Sequence, residues 1–324
     1  MRFGVLILGP VSITWGAIAW MTSFPDPDSE SDVTIPAGLP LRLESHVKTL
    51  ATDIGERNAY VEGSLERSAS YIESQATLLG LNLERQAYTA DGYDFANLHG
   101  SIGGVGKTIV VGAHYDTSPG TPGADDNASG VAVLLEMIPL LRKQDFGICS
   151  VTVAFFINEE PPWFQTEAMG SRVFARSVNK EDVIGMVSIE SVGYLDDGHD
   201  QNAPPPLGLF FPEQGNFLAF VGNLESRDFL SQALSEFRRT GALPAEGIST
   251  FETVEGVGWS DHWSFWQEGV SAIMVSDTAL FRNPHYHRES DIPETLNYDA
   301  MARVAVGMSG AIVGLLKSNA ECRG

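Results

Sequence analysis

The segment from Val110 to Gly130, VVGAHYDTSPGTPGADDNASG, places one histidine and three aspartates in a glycine-rich stretch after an apolar run. The four side chains are those of His114, Asp116, Asp125 and Asp126. Closely spaced carboxylates repel one another unless positive charge lies among them. A bound metal ion would supply that charge, since imidazole and carboxylate groups are both metal ligands.

Two interpretations compete for each part of this segment. Asp116 can accept the second N–H of a metal-bound His114, or it can belong to an ordinary turn at a strand end. One of the paired aspartates can cap a helix that begins near Ala128, which leaves the other without a role. A carboxylate can also bridge two cations through its two oxygens, and we expect Asp126 to do so.

Acidic residues also end two further apolar runs. Glu159 and Glu160 follow SVTVAFFIN (150–158), and Glu190 ends VIGMVSIE (183–190). Two buried, ionised carboxylates at one strand end are unfavourable unless a cation lies near them. One member of such a pair can bind a metal while the other takes a proton from metal-activated water. As solvated loop residues, the two glutamates would need no such role.

Late in the sequence, SDHWSFW and NPHYHRESD supply further imidazole groups, those of His262, His285 and His287. Neutral imidazole is a common zinc ligand, and the residues alone make 285 and 287 equally good candidates. His262 is expected on the substrate side or behind the ligands, or else as an ordinary buried histidine near a helix start.

The clusters share one position in the predicted fold, the carboxyl end of a strand. Strongly apolar runs alternate with stretches of helical periodicity. The runs are 107–115, 150–158, 183–191 and 271–277, and the helical stretches are 41–57, 62–80, 129–141, 226–239 and 298–317. Nearly continuous apolar strands are typical of a sheet covered by helices on both faces. We therefore predict a three-layer α/β/α fold with a mostly parallel, mixed sheet whose carboxyl edge holds the site.

The composition argues against some partners and sites. The formal net charge is −22, from 42 acidic and 20 basic residues, so we expect no nucleic-acid partner. The sequence has two cysteines, Cys149 and Cys322, and no CxxC motif, so a thiolate zinc site is not expected. The two can pair in an oxidising compartment if their geometry permits.

The first 24 residues are expected to direct export, to the periplasm, the exterior or the membrane. Arg2 precedes a mainly apolar run to about Phe24, and Ala17-Ile18-Ala19 fits a signal-peptide cleavage pattern. The run also nears the ~20 residues of a membrane-spanning helix, so a retained anchor is the alternative. Residues 25–39 are predicted to be a linker, 40–318 one domain and 319–324 a tail.

Six blocks between Lys107 and Asp291 carry a family resemblance. They are GAHYD, GADDNASG, NEE, SIESVG, SDHWSFW and HYHRESD. In this order they resemble the co-catalytic di-zinc aminopeptidases, whose relatives include bacterial leucyl aminopeptidases, glutamate carboxypeptidase and glutaminyl cyclase. The resemblance implies a zinc-exopeptidase-like fold. It also implies a zinc-dependent metallo-exopeptidase that removes N-terminal residues from peptides.

The resemblance further implies a role for each site residue. The five metal ligands for two zinc ions per chain would be His114, Asp126, Glu160, Glu190 and His287. Asp126 would bridge the ions, with His114 and Glu190 on one and Glu160 and His287 on the other. Glu159 would be the general base and Asp116 the partner of His114. The same atoms would accept manganese or cobalt in place of zinc.

Three departures from the family pattern bear on this assignment. Glu190 stands where the family often has aspartate, and Arg288 follows the last histidine where threonine is usual. The glutamate pair is followed by PPWFQTEAMGSRVFA rather than by a shorter turn. We expect this loop to form a wall of the substrate pocket or to be a plain surface loop.

Three other functions are alternatives. A carboxypeptidase needs a basic group for the substrate carboxylate, and Arg282 or Arg288 would be candidates. A glutaminyl-cyclase-like acyltransferase would use the same fold with one zinc, which the presence of both His114 and His287 disfavours. A non-enzymatic binding module on the same scaffold would lack ligands or the base, whereas this chain has the full set.

Overall fold

The computed structural model describes residues 9–27, 33–202 and 211–323, and an eight-stranded sheet forms its centre. The strands are β1 (Glu84–Ala90), β2 (Tyr93–Gly103), β3 (Thr108–His114), β4 (Ser150–Phe156), β5 (Val183–Glu190), β6 (Leu218–Asn223), β7 (Ala245–Thr250) and β8 (Ala272–Ser276). The helices are α1 (Gly9–Thr22), α2 (Leu39–Lys48), α3 (Ser64–Leu78), α4 (Gly130–Leu141), α5 (Gly170–Ser177), α6 (Arg227–Arg239), α7 (His262–Trp266) and α8 (Tyr298–Ser318).

The sheet is mixed, with a parallel centre. Its strand order is β1-β2-β4-β3-β5-β8-β6-β7. Strands β4, β3, β5 and β8 run parallel to one another, whereas β2 and the β6–β7 pair run against them. The carboxyl ends of the four central strands therefore meet at one edge, as the sequence predicts.

The strands bury side chains on both faces because successive residues of a strand point in opposite directions. In β3, Ile109 and Val111 belong to the core that includes α2, α3, α4, α6 and α8. Val110, between them, belongs to the core that includes α5 and α7. All residues of β4 and β6 are buried. The predicted three-layer α/β/α fold is confirmed.

Most predicted helices are present with ends shifted by a few residues. The stretch predicted as one helix at 41–57 is divided, because α2 ends at Lys48 and a π-helical turn follows at Thr49–Ile54. Gly55 then takes a positive φ of 80°, a left-handed conformation that glycine adopts without a Cβ clash. This break turns the chain toward Arg57, which lies fully buried beneath the site.

α8 is the one helix of the described ranges that is long and apolar enough to cross a membrane. It has 21 residues and a hydropathy of 1.4, but 67% of its apolar window is buried inside the protein. It packs against α2, α4 and α6. Its apolar character is therefore accounted for by its place in the core.

The end of the predicted N-terminal leader contacts the domain. Residues 1–8 lie outside the described residues, and α1 follows. The guanidinium of Arg227 lies 4.0 Å from the ring centroid of Trp20 and 4.4 Å from that of Phe24, and it donates to the carbonyl of Ser23 at 2.8 Å. Phe24 packs against the larger core. The division of the chain at residues 24 and 40 stays a prediction.

Cys149 and Cys322 form a disulfide, with their Cα atoms 5.0 Å apart. Both cysteines are buried. The bond joins the residue before β4 to a short 3₁₀ turn, Ala320–Cys322, that follows α8. The predicted tail is thereby tied to the central sheet.

Candidate metal centre

Most residues of the predicted site lie at the ends of three parallel strands. His114 is the last residue of β3, Glu190 is the last residue of β5, and Glu159 and Glu160 follow β4. All four side chains are buried. Because the strands are parallel neighbours, their carboxyl ends place these groups side by side.

A first cluster forms around the imidazole of His114. Its Nε2 atom lies 3.3 Å from Asp126 Oδ1 and 3.1 Å from Glu190 Oε2. One potential ligand atom from each of the three residues lies within 4.8 Å of the others. Glu190 thus reaches the cluster from the position where the family often has aspartate. Its Oε2 accepts a hydrogen bond from Ser260 Oγ at 2.8 Å, which fixes its orientation.

A second cluster shares Asp126 with the first. The Nε2 atom of His287 lies 3.0 Å from Asp126 Oδ2 and 3.1 Å from Glu160 Oε1. Ligand atoms of these three residues also lie within 4.8 Å of one another. The other candidate, His285, instead pairs through Nδ1 with Ser290 Oγ at 2.9 Å. The geometry therefore separates two histidines that the residues alone do not distinguish.

The backbone that carries Asp126 is held by Asp291, a residue that the sequence analysis does not single out. The two carboxylate oxygens of Asp291 accept the N–H groups of Asp125 at 2.9 Å and of Asp126 at 3.2 Å. Asp291 is fully buried. Its position four residues after His287 is the one signal in the sequence that could have suggested it.

Neither paired aspartate caps α4 with its side chain. The N–H of Gly130, the first residue of α4, instead donates to Asn127 Oδ1 at 3.0 Å. The carboxylate of Asp125 accepts the N–H of Gly193 at 2.8 Å and a hydrogen bond from Asn283 Nδ2 at 2.7 Å. Asp125 therefore supports the loops around the site, and Asp126 is the carboxylate that belongs to both clusters.

Asp116 lies between His114 and the glutamate pair. Its Oδ1 atom is 3.5 Å from His114 Nδ1, which is long for a hydrogen bond. Its two oxygens accept the backbone N–H groups of Glu159 and Glu160, each at 3.2 Å. Asp116 therefore fixes the glutamate backbone, and its role as the partner of His114 stays a prediction.

Glu159 belongs to neither cluster, although its Oε2 lies 3.9 Å from His114 Nε2. Burial raises the pKa of Glu159 well above its ordinary value; the His114 charge opposes this shift and the Glu160 charge adds to it. A buried carboxylate with a raised pKa, beside the clusters but outside them, is suited to accept and return a proton.

The two histidines are in strongly acidic surroundings. Burial alone would lower the pKa of His114, but Glu190 and Glu159 outweigh it and hold the pKa well above its usual range. Burial also lowers the pKa of His287, but its contacts with Asp126 and Glu160 outweigh this effect and raise the pKa to about 10. Burial raises the pKa of Glu160 to about 7. The site therefore favours positive charge at its centre.

The donor atoms of the two clusters are placed to bind a divalent metal and do not satisfy one another by hydrogen bonds. Both ring nitrogens of His114 and Oε1 of Glu160 are buried and have no hydrogen-bond partner. Buried polar atoms without partners are costly, so such a group calls for an explanation. Converging imidazole nitrogen and carboxylate oxygen atoms, without sulfur, form a donor set that suits a catalytic zinc.

A cavity of about 280 Å³ opens beside the two clusters. Its floor is apolar and is formed by alternate residues of the last strands, Ala219 and Val221 of β6, Ile248 of β7 and Met274 of β8. Asp126, Glu159, Glu160, Glu190 and His287 line its polar end. The cavity thus joins an acidic site to an apolar pocket.

No lysine or arginine is among the described residues that line the cavity. Arg282 is buried behind the wall, where it donates to the carbonyl of Phe217 and to Gln201 Oε1, each at 2.9 Å. Arg288 is exposed and outside the lining. Neither of the two basic residues considered for a carboxypeptidase faces the cavity.

The long loop after the glutamates forms part of the cavity wall. Pro161 and Phe164 line the cavity. Trp163 points away from it: its Nε1 donates to Asp91 Oδ2 at 2.9 Å, and its ring lies 4.9 Å from that of Phe95. The loop is therefore anchored on the β1–β2 hairpin and presents two apolar side chains to the cavity.

Tyr286 is a lining residue that the sequence analysis does not identify. Its ring stacks on that of His287, with centroids 3.9 Å apart. Burial raises the pKa of Tyr286 strongly, and the charges of Asp126 and Glu160 add to the shift. The phenol therefore stays protonated and can donate a hydrogen bond. Its place directly before a predicted ligand is the only signal for it in the sequence.

His262 does not reach the clusters or the cavity lining. It is the first residue of α7 and is fully buried, with Nε2 2.7 Å from the carbonyl oxygen of Val257. Burial lowers its pKa to about 4. His262 is therefore not on the substrate side; it is a buried histidine at a helix start, and its Nδ1 has no hydrogen-bond partner among the described residues.

The mixed α/β sheet and the clusters at its carboxyl edge define the class of the zinc exopeptidases, as the sequence resemblance implies. Residues 97–312 match the model of Peptidase family M28. The chain therefore belongs to this family and is a metallopeptidase.

Two curated relatives span most of the chain. YfbL, an uncharacterised protein of Escherichia coli (strain K12), is 35% identical over 280 residues, which cover 83% of this chain and 86% of that protein. A probable leucine aminopeptidase of Arthroderma otae is 26% identical over 308 residues, which cover 88% of this chain and 76% of that protein.

Solved structures share the fold at low sequence identity. BSAP, a zinc aminopeptidase from Bacillus subtilis, has a TM-score of 0.66 at 14% identity, covering 84% of this chain and 94% of that one. A glutaminyl cyclase of Bacteroides thetaiotaomicron has a TM-score of 0.64 at 17% identity. The match covers 88% of this chain and 100% of that one. Because both activities occur on this fold, the fold alone does not choose between them.

Proposed function

We propose that the chain is an aminopeptidase that binds two zinc ions and removes apolar N-terminal residues from peptides. The observation that carries the proposal is the position of Asp126, whose two oxygens face His114 at 3.3 Å and His287 at 3.0 Å. A single carboxylate between two ligand clusters is the arrangement that a pair of co-catalytic metal ions requires.

His114 and Glu190 would hold one zinc ion, Glu160 and His287 would hold the other, and Asp126 would bridge them. Bound zinc would polarise the scissile carbonyl and lower the pKa of water. Glu159 is the carboxylate beside both clusters that is free to accept the proton of the attacking water. It would then return that proton to the amine that leaves.

Tyr286 lines the same cavity with a protonated phenol. We assign it the donation of a hydrogen bond to the carbonyl oxygen of the substrate, where negative charge develops as water attacks. A donor that is already oriented by stacking on His287 needs no reorganisation at that moment.

The charge of the cavity favours the amino end of a peptide. Glu255 lines the cavity outside both ligand clusters, and no lysine or arginine is among the described lining residues. Bound zinc would neutralise the ligand carboxylates, whereas Glu255 would still attract a protonated amino terminus. A terminal carboxylate would find no guanidinium or ammonium group in the described lining. This supports an aminopeptidase over a carboxypeptidase.

The apolar floor supports a preference for a large apolar first residue. Ala219, Val221, Ile248 and Met274 would contact the side chain of that residue. Removing an apolar side chain from water contributes roughly 25 cal/mol per Å² of buried surface. A leucine or phenylalanine would therefore bind more tightly than an alanine.

We also infer that the protein is exported, into the periplasm, to the exterior or onto the membrane. The apolar segment up to Phe24 supports export, and so does the Cys149–Cys322 disulfide, since disulfides persist in oxidising compartments. Comparing the reduced and non-reduced mass of protein from each cell fraction would test both points.

A set of matched peptides tests the reaction. The peptide Phe-Ala-Ala is offered to zinc-loaded protein with both ends free, with the amino end acetylated, and with the carboxyl end amidated. We expect cleavage of the first and third but not of the second. Cleavage of only the free and acetylated forms would instead indicate a carboxypeptidase. Release of ammonia from Gln-Phe-Ala with formation of pyroglutamyl-Phe-Ala, and without cleavage of a peptide bond, would indicate a cyclase.

A further inference from the structure

Arg57 is a fully buried cationic side chain that lies outside both ligand clusters. A buried charge is costly unless it is paired or fully hydrogen-bonded. Burial lowers the pKa of Arg57 to about 10, and the charges of Asp291 and Asp116 oppose this shift. The guanidinium therefore keeps its charge at neutral pH.

The guanidinium binds the two ends of one loop. Its Nε donates to the carbonyl of Tyr115 at 2.9 Å, and its Nη2 donates to the carbonyl of Gly123 at 2.8 Å. Tyr115 directly follows His114, and Gly123 comes three residues before Asp126. The fork of Arg57 thus spans the loop that joins the first histidine to the shared carboxylate.

Further bonds fix this loop to the segment before Arg57. Nη1 donates to the carbonyls of Leu50 at 3.1 Å and of Pro122 at 2.7 Å. The backbone of Arg57 also exchanges two hydrogen bonds with Thr117: its N–H donates to Thr117 Oγ1 at 3.0 Å, and its carbonyl accepts the N–H of Thr117 at 2.9 Å. Each acceptor except the Thr117 hydroxyl belongs to the backbone, so the contacts define where the chain runs.

We propose that Arg57 is a positioning residue that sets the separation of His114 and Asp126, and with it the metal affinity of the site. This inference rests on the proposed zinc site. The planar guanidinium offers five N–H groups in a fixed fork, so it can hold both loop ends at one distance. An ammonium group has the charge but cannot bridge the two ends in this way.

The loop end that Arg57 contacts, at Gly123, has no room for a side chain. Gly123 has a positive φ of 59°, and a Cβ at this position would lie 3.0 Å from Nη2 of Arg57 and 2.4 Å from the side chain of Thr117. Such a Cβ would also lie 2.3 Å from the carbonyl oxygen of Asp126, so this loop end accommodates only a glycine. A shift of either partner would be passed on to Asp126, three residues further along the chain.

The test is the zinc affinity of the wild type and of variants, measured by competition with a chromophoric chelator. We expect Arg57→Lys and Arg57→Met to lose about 10- to 100-fold in affinity, the range typical of groups that orient metal ligands. The matched control is Arg282→Met, which removes a buried arginine that holds the cavity wall instead of the loop. It should keep wild-type zinc affinity.

Folding and positioning are separated by two further measurements. Circular dichroism and thermal unfolding without metal report whether each variant is folded, and Arg57→Lys keeps the buried charge in case Arg57→Met does not fold. Guanidinium ion at millimolar concentration should restore zinc affinity to Arg57→Ala at least in part and leave the wild type unchanged.

A folded Arg57→Lys protein with the zinc affinity of the wild type would overturn the inference. A positive charge alone would then position the loop, without a planar guanidinium that donates to both of its ends. An equal loss in Arg282→Met would also overturn it, because the effect would not be specific to the loop. Failure of the wild type itself to bind zinc would contradict the proposed function instead, so the two failures are distinguishable.

Discussion

His287 Nε2 lies 3.0 Å from Asp126 Oδ2, so a residue from the loop after β8 meets a carboxylate from the loop after β3. The other oxygen of Asp126 faces His114 at 3.3 Å. His287 follows Asp126 by 161 positions in the sequence, and the parallel strands between them bring the two loops together. The assignment of two metal ions depends on this relationship.

The two histidines of HYH provide a matched pair of variants. His287→Ala should lose one zinc per chain and about 100-fold or more in kcat, because it removes a ligand of one of the two proposed co-catalytic ions. His285→Ala should keep both ions and most activity, because His285 pairs with Ser290 outside the clusters. Zinc content and turnover measured on the two purified proteins check this. The reverse pattern would show that the wrong histidine has been assigned.

Glu159→Gln should keep the metals and lose most turnover. The amide has nearly the shape of the carboxylate but cannot accept a proton, and general-base catalysis typically contributes 10²- to 10⁴-fold. We expect kcat to fall within that range while the zinc content stays unchanged. Glu160→Gln is the matched control and should weaken zinc binding as well. A Glu159→Gln protein with wild-type kcat would exclude Glu159 as the base.

Two substitutions on the cavity floor should change selectivity in opposite directions. Ala219→Phe fills the pocket, so kcat/KM should fall by about 10-fold or more for phenylalanyl substrates but little for alanyl substrates, since each apolar side chain contributes 1–3 kcal/mol. Met274→Ala enlarges the pocket and should favour the largest side chains. Parallel changes for both substrates in either variant would show that this surface does not contact the first residue.

The buried His262 should make the stability of the protein depend on pH. Its pKa is about 4 in the folded protein and about 6.5 in the unfolded chain, so only the unfolded chain takes up the proton between these values. The free energy of unfolding should therefore fall as pH decreases from about 6.5 to 4, by about 3 kcal/mol for this group. Urea unfolding of the wild type and of His262→Gln at pH 7 and pH 4.5 measures this change in the free energy of unfolding. An equal pH effect in both proteins would contradict the assignment.

The fold was predictable because its signals are local and repeated. Runs such as 150–158 are mainly apolar and are followed by acidic residues, which is the pattern of a buried parallel strand ending at a site. The break at Gly55 was not predictable in the same way, because residues 41–57 keep helical spacing across it. The positive φ of Gly55 permits the turn, and the buried contacts of Arg57 hold the chain there.

The ligand clusters were predictable from residue types and order, whereas their supports were not. His114, Asp126, Glu160, Glu190 and His287 each follow a strand or stand in a recognisable block. Arg57 and Asp291 act through backbone contacts to distant loops, and the only sign of either in the sequence is that Asp291 comes four residues after His287. Tyr286 was missed for a related reason. An aromatic residue next to a metal ligand in the sequence is as often part of the core as part of the active site.

The most direct test of the account is the number of zinc ions per chain in protein purified without chelator and briefly dialysed against zinc. The shared carboxylate of Asp126 predicts about two, and Asp126→Ala should bind markedly fewer. A value near one would contradict the bridged pair and favour a site with a single ion. A value near zero would contradict the metal centre altogether.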